Sequence, residues 1–265
     1  MAVDGGGGMA AAFFDLDKTL MEGSSAFQFA RAAYRKGMMS RRQLARDVWA
    51  NVKFRLEGST DEATAELRDR IFESIAGQRV VDLERLVPDV LAGVLPRLYE
   101  QMLHVAWEHQ DAGRPVFIVT AASQEMAAML AHVLHFDGGI GSRSEIHDGV
   151  YTGKPAGLFT YREGKAEAIR EVARQEGIDL AVSFAYSDSE SDLPMMRTVG
   201  HPVAVNPDPH LERVAREEGW QIMRFDKLRR RLRIAAVAGG MALVGGGGGY
   251  AAARLRPRRR FRPLR

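Results

Sequence analysis

The chain has 265 residues, 37 basic and 34 acidic side chains, a formal net charge of +3 and no cysteine. Without cysteine there is no disulfide, thiolate-held zinc, iron–sulfur cluster or thiol nucleophile. Eleven of the arginines and no acid lie in residues 228–265, leaving 26 basic against 34 acidic residues in 1–227. The folded body is therefore mildly acidic, and no nucleic-acid partner is expected for it.

Residues 1–9 combine a glycine run with an aspartate and lack a basic start, so they predict a disordered leader rather than a secretory signal. Residues 10–14 are a short apolar run ending at Asp15 and predict a buried strand. Helical patterns then dominate to Gly113. The first covers 24–36 with Phe27, Ala30 and Tyr34 on one face, more in keeping with core packing than with a pocket lining. A second starts at Ser40 and stops before Gly58. A third opens at Thr60 with Leu67, Ile71 and Ile75 as its stripe, and two more cover 80–94 and 96–110. From Pro115 the pattern changes. Strands are expected at 116–119, 181–186, 202–205 and 222–225, a hairpin over 140–151 around Asp148-Gly149, and helices at 123–134, 163–176, 193–199 and 209–218. Alternating strands and helices predict an α/β fold with a parallel sheet covered on both faces.

In open α/β sheets, ligands bind beyond the carboxyl ends of the strands. The residues expected there are Asp15, Asp17, Lys18 and Thr19 after the first strand, Thr120 to Ser123 after the second, and Ser187, Asp188 and Asp192 after the third. Gly164 and Lys165 stand at the start of the 163–176 helix. Several carboxylates converging on one crevice repel one another unless a cation is present. Mg²⁺ suits such a set, because it takes oxygen ligands, commonly one or two carboxylates plus a phosphate. A lysine and a hydroxyl nearby supply what a transferring phosphoryl group needs on its oxygens. An aspartate can be the nucleophile, and a second carboxyl two residues on can act as general acid and base.

The run Asp15-Leu16-Asp17-Lys18-Thr19-Leu20 resembles the first motif of the haloacid dehalogenase (HAD) superfamily. Thr120 matches its second motif, Lys165 its third, and Asp188 with Asp192 its fourth. The helical block between the first two motifs, and the run Asp148-Gly149-Val150-Tyr151-Thr152-Gly153, resemble the phosphoserine-phosphatase-like branch (subfamily IB). The resemblance implies a Rossmann-like core over residues 10–22 and 112–227, an inserted helical cap over 23–111, and Mg²⁺-dependent hydrolysis of a small phosphorylated metabolite. In it, Asp15 is the nucleophile and a metal ligand, and Asp17 is the general acid/base with its carbonyl on the metal. Thr120 and Lys165 hold the phosphoryl group, Asp188 ligates the metal, and Asp192 supports the site. An acid at position 17 favours a phosphatase over a dehalogenase, since halide leaves without a proton.

Each motif alone is weak, since an isolated Asp-x-Asp is usually a turn or a cap; their order and their strand-end placement carry the reading. Lys154, in a loop before Pro155, is the rival to Lys165. The 104 residues between Asp15 and Thr120 far exceed the roughly 30 of a βαβ unit, and the excess predicts an inserted module, read as a lid in preference to a purely structural helical domain. Phosphoserine phosphatases carry a glutamate nine residues after the nucleophile; here that residue is Ser24, with Glu22 out of register, so the leaving group stays open. A phosphotransferase on the same site and a non-enzymatic membrane-tethered adaptor are the alternatives. His132 and His135 lack an acid at metal-ligand spacing, and Gly245 to Gly249 lacks the lysine of a phosphate loop.

Residues 234–253 carry no charge and, at 1.5 Å per residue, match a bilayer core of about 30 Å. Seven of those 20 residues are glycine and seven arginines follow, which opposes insertion. Three readings stay open for this tail: contact with an anionic membrane, a free basic extension, or a nucleic-acid-binding arm. The expected location is the cytoplasm, with or without that contact.

Overall fold

The computed structural model describes residues 8–40, 42 and 61–225. The expected leader up to residue 7, the bulk of the helix from Ser40 and the tail with its candidate span 234–253 lie outside them. No described helix is long and apolar enough to cross a membrane. Residues 1–223 form one compact unit, and Arg224–Arg265 separate as a second.

Eight strands and nine α-helices are described. A six-stranded sheet is built from β1 (Ala12–Asp15), β2 (Val116–Ser123), β3 (Gly138–Ser142), β6 (Phe184–Ser187), β7 (His201–Val205) and β8 (Gln221–Met223). Their order is β3-β2-β1-β6-β7-β8, and every neighbouring pair is parallel. This is the parallel α/β sheet that the pattern predicts, and it is Rossmann-like, as the resemblance implies. The apolar runs form its centre: Phe13, Phe14, Ile118 and Val119 are fully buried. Such burial is worth about 1.5–3 kcal/mol for each large side chain. Phe13 stacks on Phe117 and Phe14 on Tyr186, with centroids 5.4 and 4.3 Å apart. Because the strands are parallel and in register, Asp15 opposite Val119 and Phe14 opposite Tyr186, their carboxyl ends open at one edge.

The remaining strands, β4 (Ser144–His147) and β5 (Val150–Pro155), form an antiparallel hairpin. Its turn is Asp148 at φ 49° and Gly149 at φ 76°, the left-handed pair that a two-residue hairpin needs to match strand twist. The predicted hairpin is real but starts later than expected, since Ile140 lies in β3 of the main sheet. Three glycines in β3 hid that strand from a hydrophobicity reading. They also allow it: a Cβ on Gly139 would sit 2.1 Å from the Ala127 carbonyl oxygen.

Between Glu22 and Leu98 the chain leaves the sheet. This excursion contains α1 (Ser25–Arg35), α2 (Asp61–Ile75), α3 (Val80–Glu84) and α4 (Val87–Val94). Glu22 N–H donates to the Arg97 carbonyl at 2.7 Å and Tyr99 N–H to the Leu20 carbonyl at 2.8 Å, so the exit and return strands are clipped together. The hairpin makes a second clip. Tyr151 exchanges main-chain hydrogen bonds with Gly77 and Gln78, and Val80 N–H donates to the Gly149 carbonyl.

Four helix expectations change. The 80–94 segment is two helices, because Pro88 lacks an N–H to continue a helix yet suits the start of a new one. The 96–110 helix starts only at Glu100, after a 3-10 turn at Leu95–Arg97. On α1 the buried residues are Ser25, Gln28, Ala32 and Ala33, while Phe27 is 48% exposed. Small residues win that face because α4 comes close: a Cβ on Gly93 would lie 2.7 Å from Gln28 Oε1. On α2 the buried aromatic is Phe72, not the Ile71/Ile75 stripe, both of which are half-buried.

Further helices are α5 (Glu100–Asp111), α6 (Gln124–Val133), α7 (Glu163–Glu176), α8 (Leu193–Met196) and α9 (Pro209–Glu217). From α5, His109 reaches the sheet and is buried among Phe14, Phe184 and Tyr186. Arg114 Nε donates to its Nδ1 at 2.7 Å, so Nε2 carries the hydrogen shared with the Tyr186 hydroxyl, also at 2.7 Å. Burial, and the Arg114 charge after it, push the imidazole down from 6.5 to about 4. A base depressed by folding takes up its proton more readily in the unfolded chain. Stability from this group is therefore complete above pH 6.5 and is lost as the pH falls toward 4. Thermal melts between pH 7 and 4.5 are expected to show a steeper fall in Tm for the wild type than for His109→Gln.

Candidate active site

The local sequence explains why each side chain arrives at the sheet edge. β1 ends at Asp15, which is 6% exposed, and the chain then turns through Asp17 and Lys18, the latter at φ 62°. Thr120 follows Val119 in the neighbouring strand and is buried; its hydroxyl accepts the Ala122 N–H at 3.2 Å. Beyond it, Ser123 caps α6 by accepting from Met126 N–H. From the other side, β6 ends at Ser187, and Asp188 and Asp192 follow, both buried. Lys165 enters from the first turn of α7, 3% exposed. Glycine is required beside it, since a Cβ on Gly164 would lie 1.9 Å from the Phe159 carbonyl oxygen.

Lys165 is the centre of the cluster. Its Nζ lies 2.6 Å from Asp15 Oδ1 and 2.7 Å from Asp192 Oδ2. Ser187 Oγ donates to that same Asp192 oxygen at 2.6 Å. Lys18 Nζ lies 3.2 Å from Asp188 Oδ2. Asp17 is aimed differently: its Oδ1 accepts the Ser25 N–H at 2.8 Å, so the carboxylate caps α1, whose own N-cap residue, Ser24, makes no side-chain cap. The motif-four loop is braced by Asp208, whose N–H donates to the Asp188 carbonyl and whose Oδ2 accepts from Glu190 N–H, both at 2.8 Å.

Three buried carboxylates, Asp15, Asp188 and Asp192, thus face two ammonium groups. The imbalance shows at Asp15 and Asp188. Burial pushes Asp15 up from 3.8 to about 8, against the pull of Lys165 and with the push of Asp192 and Asp188. Burial likewise pushes Asp188 up to about 6, opposed by Lys18. For Lys165, burial lowers the pKa, but Asp15 and Asp192 together outweigh it and hold the ammonium above its usual value. Desolvation dominates the acids, each of which has one ammonium at hand, whereas the lysine sees two carboxylates.

This donor set fits a hard divalent cation. No group of three or more His, Asp or Glu among the described residues is arranged to hold a metal unaided. The fit is instead to an ion such as Mg²⁺ that takes one or two carboxylates, leaving other positions to backbone oxygen, water and phosphate. The Asp15 and Asp188 side chains and the Asp17 carbonyl are the candidate donors.

Asp15, Thr120, Lys165, Asp188 and Asp192 therefore share one sheet edge, with Asp17 two residues beyond Asp15. Lys154 does not join them: it lies exposed in β5 of the hairpin. Three contributions were not read from the sequence. The Lys18 contact to Asp188 spans 170 residues and leaves no local pattern. The Ser25 amide and Asp208 were likewise missed as partners of the site, although Asp208-Pro209 carries an ordinary helix-start signature. A surface cavity of about 530 Å³, with Arg162, Arg170, Arg197 and His210 in its wall, lies outside the cluster.

The chain matches the family model of haloacid dehalogenase-like hydrolases over residues 12–197. It is 37% identical over 247 residues to phosphoserine phosphatase SerB1 of Mycobacterium tuberculosis, covering 92% of this chain and 79% of that protein. A solved structure of a Bordetella pertussis protein of unknown function superposes with a TM-score of 0.71 at 30% identity, over 82% of this chain and 98% of that one. A phosphoserine phosphatase carrying a phospho-aspartyl intermediate analogue superposes with a TM-score of 0.60 at 20% identity, over 86% of this chain and 99% of that one.

Proposed function

The chain belongs to the haloacid dehalogenase-like hydrolases, in their phosphoserine-phosphatase-like branch, and is a phosphatase; we propose that it hydrolyses a small phosphomonoester through an aspartyl-phosphate on Asp15, with Mg²⁺ as cofactor. The observation that carries this reading is the buried Lys165 ammonium held between Asp15 and Asp192 at 2.6 and 2.7 Å. That pairing opposes the burial that pushes Asp15 up to about 8, and a bound cation would favour the ionised nucleophile further.

In the first half-reaction Asp15 attacks phosphorus and the bond to the leaving oxygen breaks. Asp17 gives its proton to that oxygen, so an alcohol departs. In the second half Asp17 takes a proton from water, and the water oxygen attacks the aspartyl-phosphate. Inorganic phosphate leaves and Asp15 is restored. Thr120 and Lys165 hold the non-bridging oxygens, the ammonium balancing charge as it spreads over them. Asp188 and Asp15 would hold the Mg²⁺ with the Asp17 carbonyl, and the bound ion supplies charge neutralisation and orientation of the phosphoryl group. Asp192 keeps Lys165 in place from behind.

The helices between Glu22 and Leu98 act in this reading as a lid that excludes water and reads the leaving group. In favour is the tie between Asp17 and the Ser25 amide at the start of α1, which joins the acid/base residue to the excursion. The relatives' activity points to phosphoserine as one substrate to test, while Ser24, standing where phosphoserine phosphatases carry glutamate, points to another leaving group.

The test is a panel of phosphorylated metabolites, with phosphoserine and other amino-alcohol phosphates included, run with and without Mg²⁺. Hydrolysis of at least one member is expected, with loss of turnover on chelation and recovery on adding Mg²⁺. Turnover that survives exhaustive chelation refutes the cofactor assignment, and a panel with no hydrolysis refutes the activity.

A further inference from the structure

We propose that Lys18 is a built-in stand-in for the divalent cation: its ammonium occupies the acidic cleft until the ion displaces it, so ion binding is an exchange of cations. The inference rests on the metal-dependent reading of the site given above.

Four observations carry it. First, Lys18 Nζ reaches Asp188 Oδ2 at 3.2 Å across two strand ends, so the ammonium sits on one of the carboxylates offered to the ion. Second, the two lysines of the cleft differ in freedom. The Lys165 side chain is 4% exposed and fixed by two carboxylates, whereas that of Lys18 is 47% exposed and holds one. Only the Lys18 ammonium can swing back into water, leaving Asp188 to the incoming ion. Third, the backbone of Lys18 is at φ 62°, a left-handed conformation that a residue with a side chain adopts at a cost. Such a conformation persists where the surroundings hold it, and here it directs the stem toward β6. Fourth, with Lys18 in place the cleft has three buried carboxylates, Asp15, Asp188 and Asp192, to two ammonium groups. One monovalent group therefore does not complete the site, and a dication has a reason to displace it.

A lysine suits this part. Its ammonium is a compact, strongly hydrated charge on a flexible stem, and it returns readily to water when expelled. The consequence is a competition. Lys18 steadies the metal-free protein and weakens the ion by the same contact, because the ion must break that contact before binding.

The competition is tested on the full chain without substrate, with Mg²⁺ alone as titrant, by calorimetry and by thermal melting. Lys18→Met keeps the stem and removes the charge. It is expected to lower the Mg²⁺ dissociation constant by about three- to tenfold, to lower the Tm of the metal-free protein, and to enlarge the rise in Tm on adding Mg²⁺. Lys18→Arg keeps the charge and is expected to bind Mg²⁺ as the wild type does; Lys18→Gln replaces Lys18→Met if the latter does not fold. A lysine that served structure alone would lower Tm without tightening the ion. If wild type binds Mg²⁺ and neither neutral variant binds it more tightly, the exchange is overturned and the metal reading stands. If the wild type takes up no Mg²⁺, both fall together.

Discussion

Replacing Asp15 by Asn is expected to abolish turnover while leaving a protein that is at least as stable as the wild type. Loss of the nucleophile removes the phospho-enzyme route, and a fall of about a thousandfold or more is expected, as for other nucleophiles in concerted sites. The stability side follows from burial. Asp15 has its pKa pushed from 3.8 to about 8. An acid raised by folding is more readily deprotonated in the unfolded chain, so stability is lost as the pH rises from 3.8 toward 8. Asparagine has no such loss, and in the metal-free protein its Tm at neutral pH should match or exceed that of the wild type. Function and stability then oppose each other at this residue, a common trade in strained active sites. Two measurements check the pair: acid-quenched protein after reaction with a labelled phosphomonoester should retain label in the wild type and not in the variant, and melts without Mg²⁺ should give the order of Tm. Turnover comparable to wild type would refute the nucleophile.

Replacing Lys165 by Met is expected to damage both properties. The substitution preserves stem volume but leaves Asp15 and Asp192 buried without their shared ammonium, at 2.6 and 2.7 Å in the intact protein. Removing one member of a buried ion pair costs about 3–5 kcal/mol, mainly from the charge left behind. Activity should fall by about a hundredfold or more, the usual loss when a donor to a developing phosphoryl charge is removed. The pH dependence of stability separates this from a packing defect. In the variant Asp15 loses the group that opposed the rise of its pKa, so the deficit should grow as pH rises and shrink as Asp15 becomes protonated. A Tm deficit independent of pH would mean that the ammonium was not balancing that charge. Asp15→Asn and Lys165→Met therefore move stability in opposite directions while both reduce turnover.

The candidate site was largely legible before the structure, because its chemistry is carried by residue types at strand ends. Asp15, Asp17, Thr120, Lys165, Asp188 and Asp192 each follow a short apolar run or open a helix, and parallel strands bring such positions to one edge. The rivalry between Lys165 and Lys154 rested on helix against loop, and tertiary structure places Lys165 in the first turn of α7, Lys154 in an exposed hairpin. The helices between the first two strands were read less well. Their amphipathic spacing is clear, but which of several apolar stripes is buried depends on the neighbour. Phe27 was expected inside and is 48% exposed, because α1 packs its alanines and Gln28 against Gly93.

The sequence by itself determined the α/β class, the acidic body with its arginine-rich end, and which residues are candidates at the sheet edge. These are written in period, composition and strand-end chemistry, all local properties. Tertiary structure alone decided that β3, rich in glycine, completes the main sheet, that Asp17 caps α1 through Ser25, and that Lys18 rests on Asp188. A long-range contact is set by packing and by the balance of buried charge, and neither leaves a periodic trace in the chain.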